Sequence, residues 1–273
     1  IQKVRARLND EQGRALSTSL LSKVLGNRKL FHHMLKAGRL VQKPVTTDGH
    51  LRHLPLFFGE GQKFCNLPAL ADVSFRDQWR TSRQVLNEPL MNIGLFAGCA
   101  QDFVYPEQLH DAMQIFARHQ VQTIFPVEQS CCGLPAQMLG EHDTARQVAL
   151  ANMAAFEDQN CEHIVATCAS CASHLKEAYV KMFDERTPEG QKARVFADKV
   201  IDFSSFVRNV LGVQGPRPDP GAPKAAYHAP CHLCRGLGVT QEPRDLIRAC
   251  GFEYAQCPDE EVCCGFGGTY SLK

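Results

Sequence analysis

Six of the chain's cysteines fall on one repeated spacing, and two more follow its first copy. Thirty-one residues separate Cys99 from Cys131, and thirty-one again separate Cys231 from Cys263. In both cases the second cysteine opens a vicinal pair followed by glycine, Cys131-Cys132-Gly133 and Cys263-Cys264-Gly265. In the first unit 35 residues then lead to Cys168-Ala-Ser-Cys171, so the full pattern is C-x31-C-C-G-x34-C-x-x-C. The second unit runs nine residues past Cys264 without a matching C-x-x-C, which leaves its ligand set incomplete as given. Cysteine thiolates are soft donors suited to zinc and to iron–sulfur clusters. The vicinal pairs discriminate among these. Adjacent α-carbons lie about 3.8 Å apart, and successive side chains of an extended segment point to opposite faces. A single tetrahedral zinc is therefore a poor target for both thiolates, since its paired ligands are usually spaced to let a loop close. A cluster with several iron corners can accept each thiolate separately. Gly133 and Pro135, and Gly265, Gly267 and Gly268, permit tight turns that bring backbone N–H groups toward sulfur, which would raise a reduction potential.

Composition narrows the class. Across 273 residues, 44% are hydrophobic, enough for a core without covalent staples. Thirteen cysteines, an odd total, argue with the vicinal pairs against a secreted disulfide scaffold. Thirty Lys and Arg against 29 Asp and Glu leave no basic footprint for nucleic acid. No stretch reaches the roughly 18 apolar residues of a membrane span, and the N-terminus lacks the apolar run of a signal peptide. The chain starts at Ile1, which leads us to expect residues upstream of it. Paired carboxylates, a serine triad, H-E-x-x-H, a P-loop and a flavin motif are not apparent; Gly-Phe-Gly-Gly-Thr-Tyr lacks the dinucleotide spacing and is assigned to the turn after Cys264.

These cysteines need elements to hold them. Met91 to Cys99 reads as an apolar strand ending at Cys99, followed by a helix from about Pro106 to His119 and a strand over Val-Gln-Thr-Ile-Phe-Pro-Val. A helical run from about Glu141 to Gln159 precedes a strand, His-Ile-Val-Ala-Thr, which delivers Cys168, with Cys171 opening the next helix. A polar stretch over 184–194 and a helix over 201–211 complete the unit. After the linker Gly-Val-Gln-Gly-Pro-Arg-Pro-Asp-Pro-Gly-Ala-Pro-Lys, the pattern, restarting at Lys224, gives a strand to Cys231, a helix over 243–250 and a second strand. Strands alternating with helices predict an α/β fold: two repeated Rossmann-like units with parallel sheets, over 91–211 and 224–273. Residues 1–90 read as one or two amphipathic helices and then an extended connector without periodicity from Pro44 to Arg83. Cys65, Cys161 and Cys250 stand outside the register and are expected to be buried apolar thiols. His32-His33 reads as a surface feature.

The cysteine pattern resembles the CCG, or cysteine-rich, domain family. That family includes the B and D subunits of heterodisulfide reductase, the iron–sulfur subunits of glycolate oxidase and lactate-utilisation enzymes, and an anaerobic glycerol-3-phosphate dehydrogenase subunit. The runs Tyr-His-Ala-Pro-Cys-His-Leu-Cys-Arg-Gly-Leu-Gly-Val and Cys-Cys-Gly-Phe-Gly-Gly-Thr-Tyr-Ser-Leu-Lys are most similar to the second repeat of the lactate and glycolate branch. The resemblance covers roughly residues 91–273. It implies that Cys99, Cys131, Cys132, Cys168 and Cys171 hold one iron–sulfur cluster, [4Fe-4S] or its noncubane variant. Cys231, Cys263 and Cys264 would hold a second, with Cys234 as a substitute ligand and zinc as the alternative metal at one site. His228, His232 and Arg235 surround Cys231 as in the family; they could donate hydrogen bonds to cluster sulfur or guide a proton, or simply satisfy backbone carbonyls.

The implied partners are a flavoprotein dehydrogenase subunit, a ferredoxin-like domain or subunit of the kind that precedes the first repeat in many relatives, and a quinone or other acceptor. The implied location is the cytoplasm, or the inner face of the membrane through those partners. Three functions follow as expectations: an electron-transfer subunit serving a lactate- or glycolate-type 2-hydroxy-acid dehydrogenase, a disulfide reductase with catalysis at a noncubane cluster, and a structural zinc protein.

Overall fold

A computed structural model of the chain describes residues 2–13, 16–43, 46–47, 49–51, 67–216, 218–219 and 221–265. Cys65, Gly267 and Gly268 lie outside the described residues. The N-terminal segment folds into three helices, Gln2–Gln12, Leu16–Gly26 and Arg28–Gln42, rather than one or two. The third begins at a cap in which Asn27 accepts the Leu30 N–H at 3.1 Å. Three short antiparallel strands follow, β1 (Thr46–Thr47), β2 (His50–Leu51) and β3 (Leu67–Pro68).

The stretch expected to be extended up to Arg83 contains a further helix, Phe75–Ser82. Its start is chemically marked: the Ser74 hydroxyl donates to Asp77 at 2.8 Å, three residues on, and Phe75 seats the helix by burying its ring completely.

The central sheet is the site's platform. Strand β4 (Met91–Phe96) is uncharged, and Ile93, Gly94, Leu95 and Phe96 are all buried, as befits a strand covered on both faces. The helix Pro106–Arg118 places proline in its first turn and arginine in its last, and buries Leu109, Ala112, Met113 and Phe116 at helical spacing. It returns the chain to β5 (Val121–Ile124), parallel to β4 with Met91 opposite Val121.

The next crossover, through the helix His142–Glu157, lands on the other side of β4. Strand β6 (His163–Ala166) pairs there with Ile93 opposite His163, and β7 (Val200–Asp202) pairs with β6. The order is β5-β4-β6-β7, all parallel. Between β4 and β6 the winding reverses, and outside the carboxyl ends of these strands lies the crevice where open α/β sheets bind ligands.

Two departures lie in the first unit's last third. The polar stretch over 184–194 contributes to a helix, Pro188–Lys199, whose cap Thr187 accepts the Gly190 N–H at 3.1 Å. The span read as a helix over 201–211 begins instead with β7 and turns helical at Phe203. Three residues of strand are too few to show an alternation. In the second unit β8 (Lys224–Ala225) and β9 (Glu253–Tyr254) pair in parallel around the helix Gln241–Ala249.

Two cores sandwich the sheet. One joins Ile93, Leu95, Leu109, Phe116 and Phe206 to Phe75 of the N-terminal segment. The other joins Phe96, Phe156, Ile164, Tyr179 and Phe196 to Leu25, and it contains Cys131, Cys132 and Cys171.

Candidate metal centre

Five cysteines meet at the crevice. Strand β4 ends at Phe96, and the chain turns through Gly98 into the helix Gly98–Phe103, which carries Cys99 in its first turn rather than at the strand end. The turn needs glycine. Gly98 has φ +67°, and a Cβ there would stand 2.9 Å from the Cys171 sulfur. Beyond β5 the loop delivers Cys131 and Cys132, and Gly133, at φ +91°, opens the short helix Leu134–Met138. Beyond β6, Cys168 caps the helix Ala169–Ser173, in which Cys171 lies. That helix widens into a π-helical turn over His174–Ala178.

The five thiols form one unbroken chain of contacts. Cys99 touches Cys131, Cys131 touches Cys132, and Cys171 touches both Cys132 and Cys168. Donation from Cys131 and Cys171 holds the Cys132 thiol down at about 6, and donation from Cys171 holds Cys168 at about 6. The donating thiols move the other way: Cys99, which gives to Cys131, and Cys131 and Cys171 are pushed up by the sulfur bonds they give and by burial. Backbone N–H groups of Gly133 and Leu134 reach the Cys131 and Cys132 sulfurs. Of the vicinal pair, Cys132 is thus the acceptor, while Cys131 accepts from Cys99 and donates to Cys132.

Among the described residues no group of three or more His, Cys, Asp and Glu side chains is arranged to hold a metal ion. The hydroxyls of Ser130 and Thr167, each just before a cysteine, are buried without partners, as is the Nε2 atom of His174.

Residues that the spacing did not single out hold the pair in place. Asn152 and Tyr179 are both fully buried. Asn152 donates to the Cys131 carbonyl at 2.8 Å and accepts the Ser130 N–H at 2.9 Å. Tyr179 donates to the Cys132 carbonyl at 2.9 Å, and its hydroxyl accepts from Asn152 at 3.0 Å. Gln129 ties the same loop to β4 by accepting the Ala97 N–H and donating to the Leu95 carbonyl, both at 2.9 Å. No motif announces these residues, because their partners are main-chain atoms of segments far away in the sequence.

The second unit echoes the first at a more exposed place. Cys231 touches Cys263, as Cys99 touches Cys131, and the Gly265 N–H reaches the Cys263 sulfur, as Gly133 reaches Cys131. Cys264 is exposed beside them, and half-buried Cys234 sits within electrostatic reach of Cys231. His228 contacts the Val262 carbonyl at 2.9 Å, and Arg235 donates to the Glu261 carbonyl at 3.0 Å, so both serve the backbone leading into Cys263. His232 faces the first unit, 3.2 Å from the hydroxyl of Ser170, which lies between Cys168 and Cys171.

Of the cysteines outside the register, Cys161 is buried in the core as expected, and burial raises its thiol. Cys250 is exposed, a correction: it caps the helix Gln241–Ala249, whose buried residues are Pro243 and Arg244 near the opposite end. His32 is also corrected. It is buried against Phe31 and Phe103, while His33 remains exposed.

Fold and sulfur site together define a class. A model of the cysteine-rich CCG domain matches residues 93–176 and 225–273. Lactate utilization protein A of Halalkalibacterium halodurans is 34% identical over 184 residues, covering 67% of this chain and 74% of the relative. The proteins of the same name from Shouchella clausii and Bacillus velezensis are each 35% identical over 187 residues, covering 75% and 76% of their lengths. The chain belongs to the CCG cysteine-rich family, among the relatives of lactate utilization protein A.

Proposed function

We propose that this chain is an iron–sulfur electron-transfer subunit in the oxidation of lactate or a similar 2-hydroxy acid. The observation that carries the proposal is the gathering of Cys99, Cys131, Cys132, Cys168 and Cys171 at the switch point of a parallel sheet. The donor set is all sulfur, two of its thiols ionise readily, and backbone N–H groups already point at sulfur. This fits a [4Fe-4S] cluster, cubane or noncubane. Such a cluster, when bound, accepts and passes on one electron at a time.

This chain's own residues supply the rest. Asn152 and Tyr179 orient the vicinal pair, the Gly133 and Leu134 N–H groups stabilise negative charge on sulfur, and the surrounding core excludes water. Cys231 and Cys263 begin a second site, with Cys264 and Cys234 at hand. In this reading the units span 91–211 and 224–273, and the electrons arrive from a flavoprotein dehydrogenase and leave to a quinone or another carrier. Among the described residues no helix is long and apolar enough to cross a membrane, so contact with a membrane-borne acceptor would run through partners.

One observation favours disulfide reduction as a second reading. A cleft of about 380 Å³ between the units reaches Cys168 and is lined also by Gln101, Thr167, Ser170, Tyr227 and Leu233. The deciding experiment follows visible absorbance under anaerobic conditions. Reduction by a low-potential dye and stoichiometric reoxidation by a soluble quinone, without turnover of added disulfides, is the expected result. Catalytic disulfide turnover would shift the assignment to a reductase, and a colourless zinc protein would overturn both.

A further inference from the structure

One residue outside the repeats joins two of the cysteine-bearing segments. Arg76, in the first turn of the helix Phe75–Ser82, is buried against Asp102, with side chains 9% and 0% exposed. Its Nε donates to one Asp102 carboxylate oxygen at 2.5 Å, and its backbone N–H to the other at 3.0 Å. The far edge of the guanidinium donates to the Val127 carbonyl at 3.0 Å and to the Gln129 carbonyl at 3.3 Å. Asp102 lies three residues after Cys99 on the same short helix, and Gln129 lies two residues before Cys131. Phe103 and Phe125, one from each segment, hold their rings 5.6 and 6.0 Å from the guanidinium carbon. Only a planar fork spans a carboxylate and two carbonyls at once; a lysine ammonium carries the charge but not the reach.

We propose that Arg76 is a positioning residue that sets the separation of Cys99 from the Cys131-Cys132 pair. The segment before the repeats is then part of the first site and not a connector to it. What the cysteines are spaced for rests on the cluster reading above; the spacing itself does not, and it can be tested without metal.

Two variants of the full chain are informative. Arg76→Lys keeps the cation and one contact to Asp102. The double variant Arg76→Met with Asp102→Leu removes the pair together, leaving no orphaned buried charge that would by itself unfold the chain. Metal-free protein is labelled with a maleimide under native conditions, and Cys131 is compared with Cys161 by peptide mass spectrometry. Both thiols are buried in the wild type, at 1% and 4% exposure, so Cys161 corrects for global opening. The Cys131-to-Cys161 rate ratio should rise about tenfold in the double variant and less in Arg76→Lys, as expected for a local opening.

In cluster-loaded protein the reduced EPR line shape should change in the same order. An unchanged ratio, or an unchanged line shape in loaded variants, overturns the proposal. Failure of the wild type to bind iron would instead remove the cluster reading, while the labelling ratio still decides the role of Arg76.

Discussion

Vicinal cysteines are hard to satisfy with one metal ion, and this constraint shapes the first site. Cys131 and Cys132 are adjacent and buried, and each leans on a different neighbour, Cys99 on one side and Cys171 on the other. Replacing either by serine should abolish the first site's visible absorbance and iron, and lower the midpoint of thermal unfolding, because metal binding and folding are linked. Iron content equal to wild type in both variants would refute the assignment. Gly98 offers a finer test. Alanine there must adopt φ +67° and place its Cβ 2.9 Å from the Cys171 sulfur, so Gly98→Ala should cost upward of about 1 kcal/mol. Its loss of iron should exceed what that destabilisation explains, measured by denaturant melts beside iron analysis.

The ligand candidates were legible because a spacing shared by two units survives in the linear sequence. Gln129, Asn152, Tyr179 and Arg76 were not, since each acts on carbonyls or carboxylates brought near only by folding. His32 was misread for a related reason. Its own helix shows a basic face, and the residues that bury it, Phe103 and Arg76, come from two other segments.

At the scale of elements, the sheet was the most readable part. Strands β4, β5 and β6 and the helices between them follow from apolar runs alternating with amphipathic ones. Strand β7 and the helix Pro188–Lys199 were missed, because a three-residue strand has no period and a polar helix declares itself mainly through its Thr187-Pro188 start. The N-terminal helices were seen as helices but not as cover. Leu25 is buried in the same core as Cys131, Cys132 and Cys171, and Ser22 donates to Glu141 at 3.2 Å just beyond the loop that carries the pair. Leu25→Ala should therefore destabilise by about 2–5 kcal/mol. It should also hasten loss of the first cluster's absorbance in air, whereas an equal truncation at half-exposed Met91, at the start of β4 away from its carboxyl end, should not. Equal rates of bleaching would argue against the N-terminal helices shielding the site.

At the scale of the whole molecule, two buried histidines make the metal-free fold sensitive to acid. Burial, reinforced by the nearby Arg76 charge, depresses His32 from an ordinary 6.5 to about 3. Burial, with His232 close by, depresses His174 to about 4. Unfolded histidines take up protons below about 6.5 while the folded ones do not, so unfolding is accompanied by proton uptake in that window. Stability should be flat on this account above about pH 7 and fall as pH is lowered through 6 and 5, with a slope approaching two protons. Urea midpoints against pH would show it, and His32→Gln should remove about half of the slope; a slope unchanged by that substitution would contradict the assignment.

The two units also meet directly: the turn His232–Gly236 packs on the helix that carries Cys171, and Gly236 approaches so closely that a Cβ would stand 2.6 Å from the Ser173 hydroxyl. This contact sets the turn after Cys231 against the helix that carries Cys171, and the proposed electron-transfer role would use it. The most direct test of that account is the iron and acid-labile sulfide content of anaerobically purified chain, with EPR spectra before and after reduction. About four irons and about four sulfides for each filled site, with a signal that changes on reduction, is the predicted result. Stoichiometric zinc without sulfide, and no signal in either state, would contradict it.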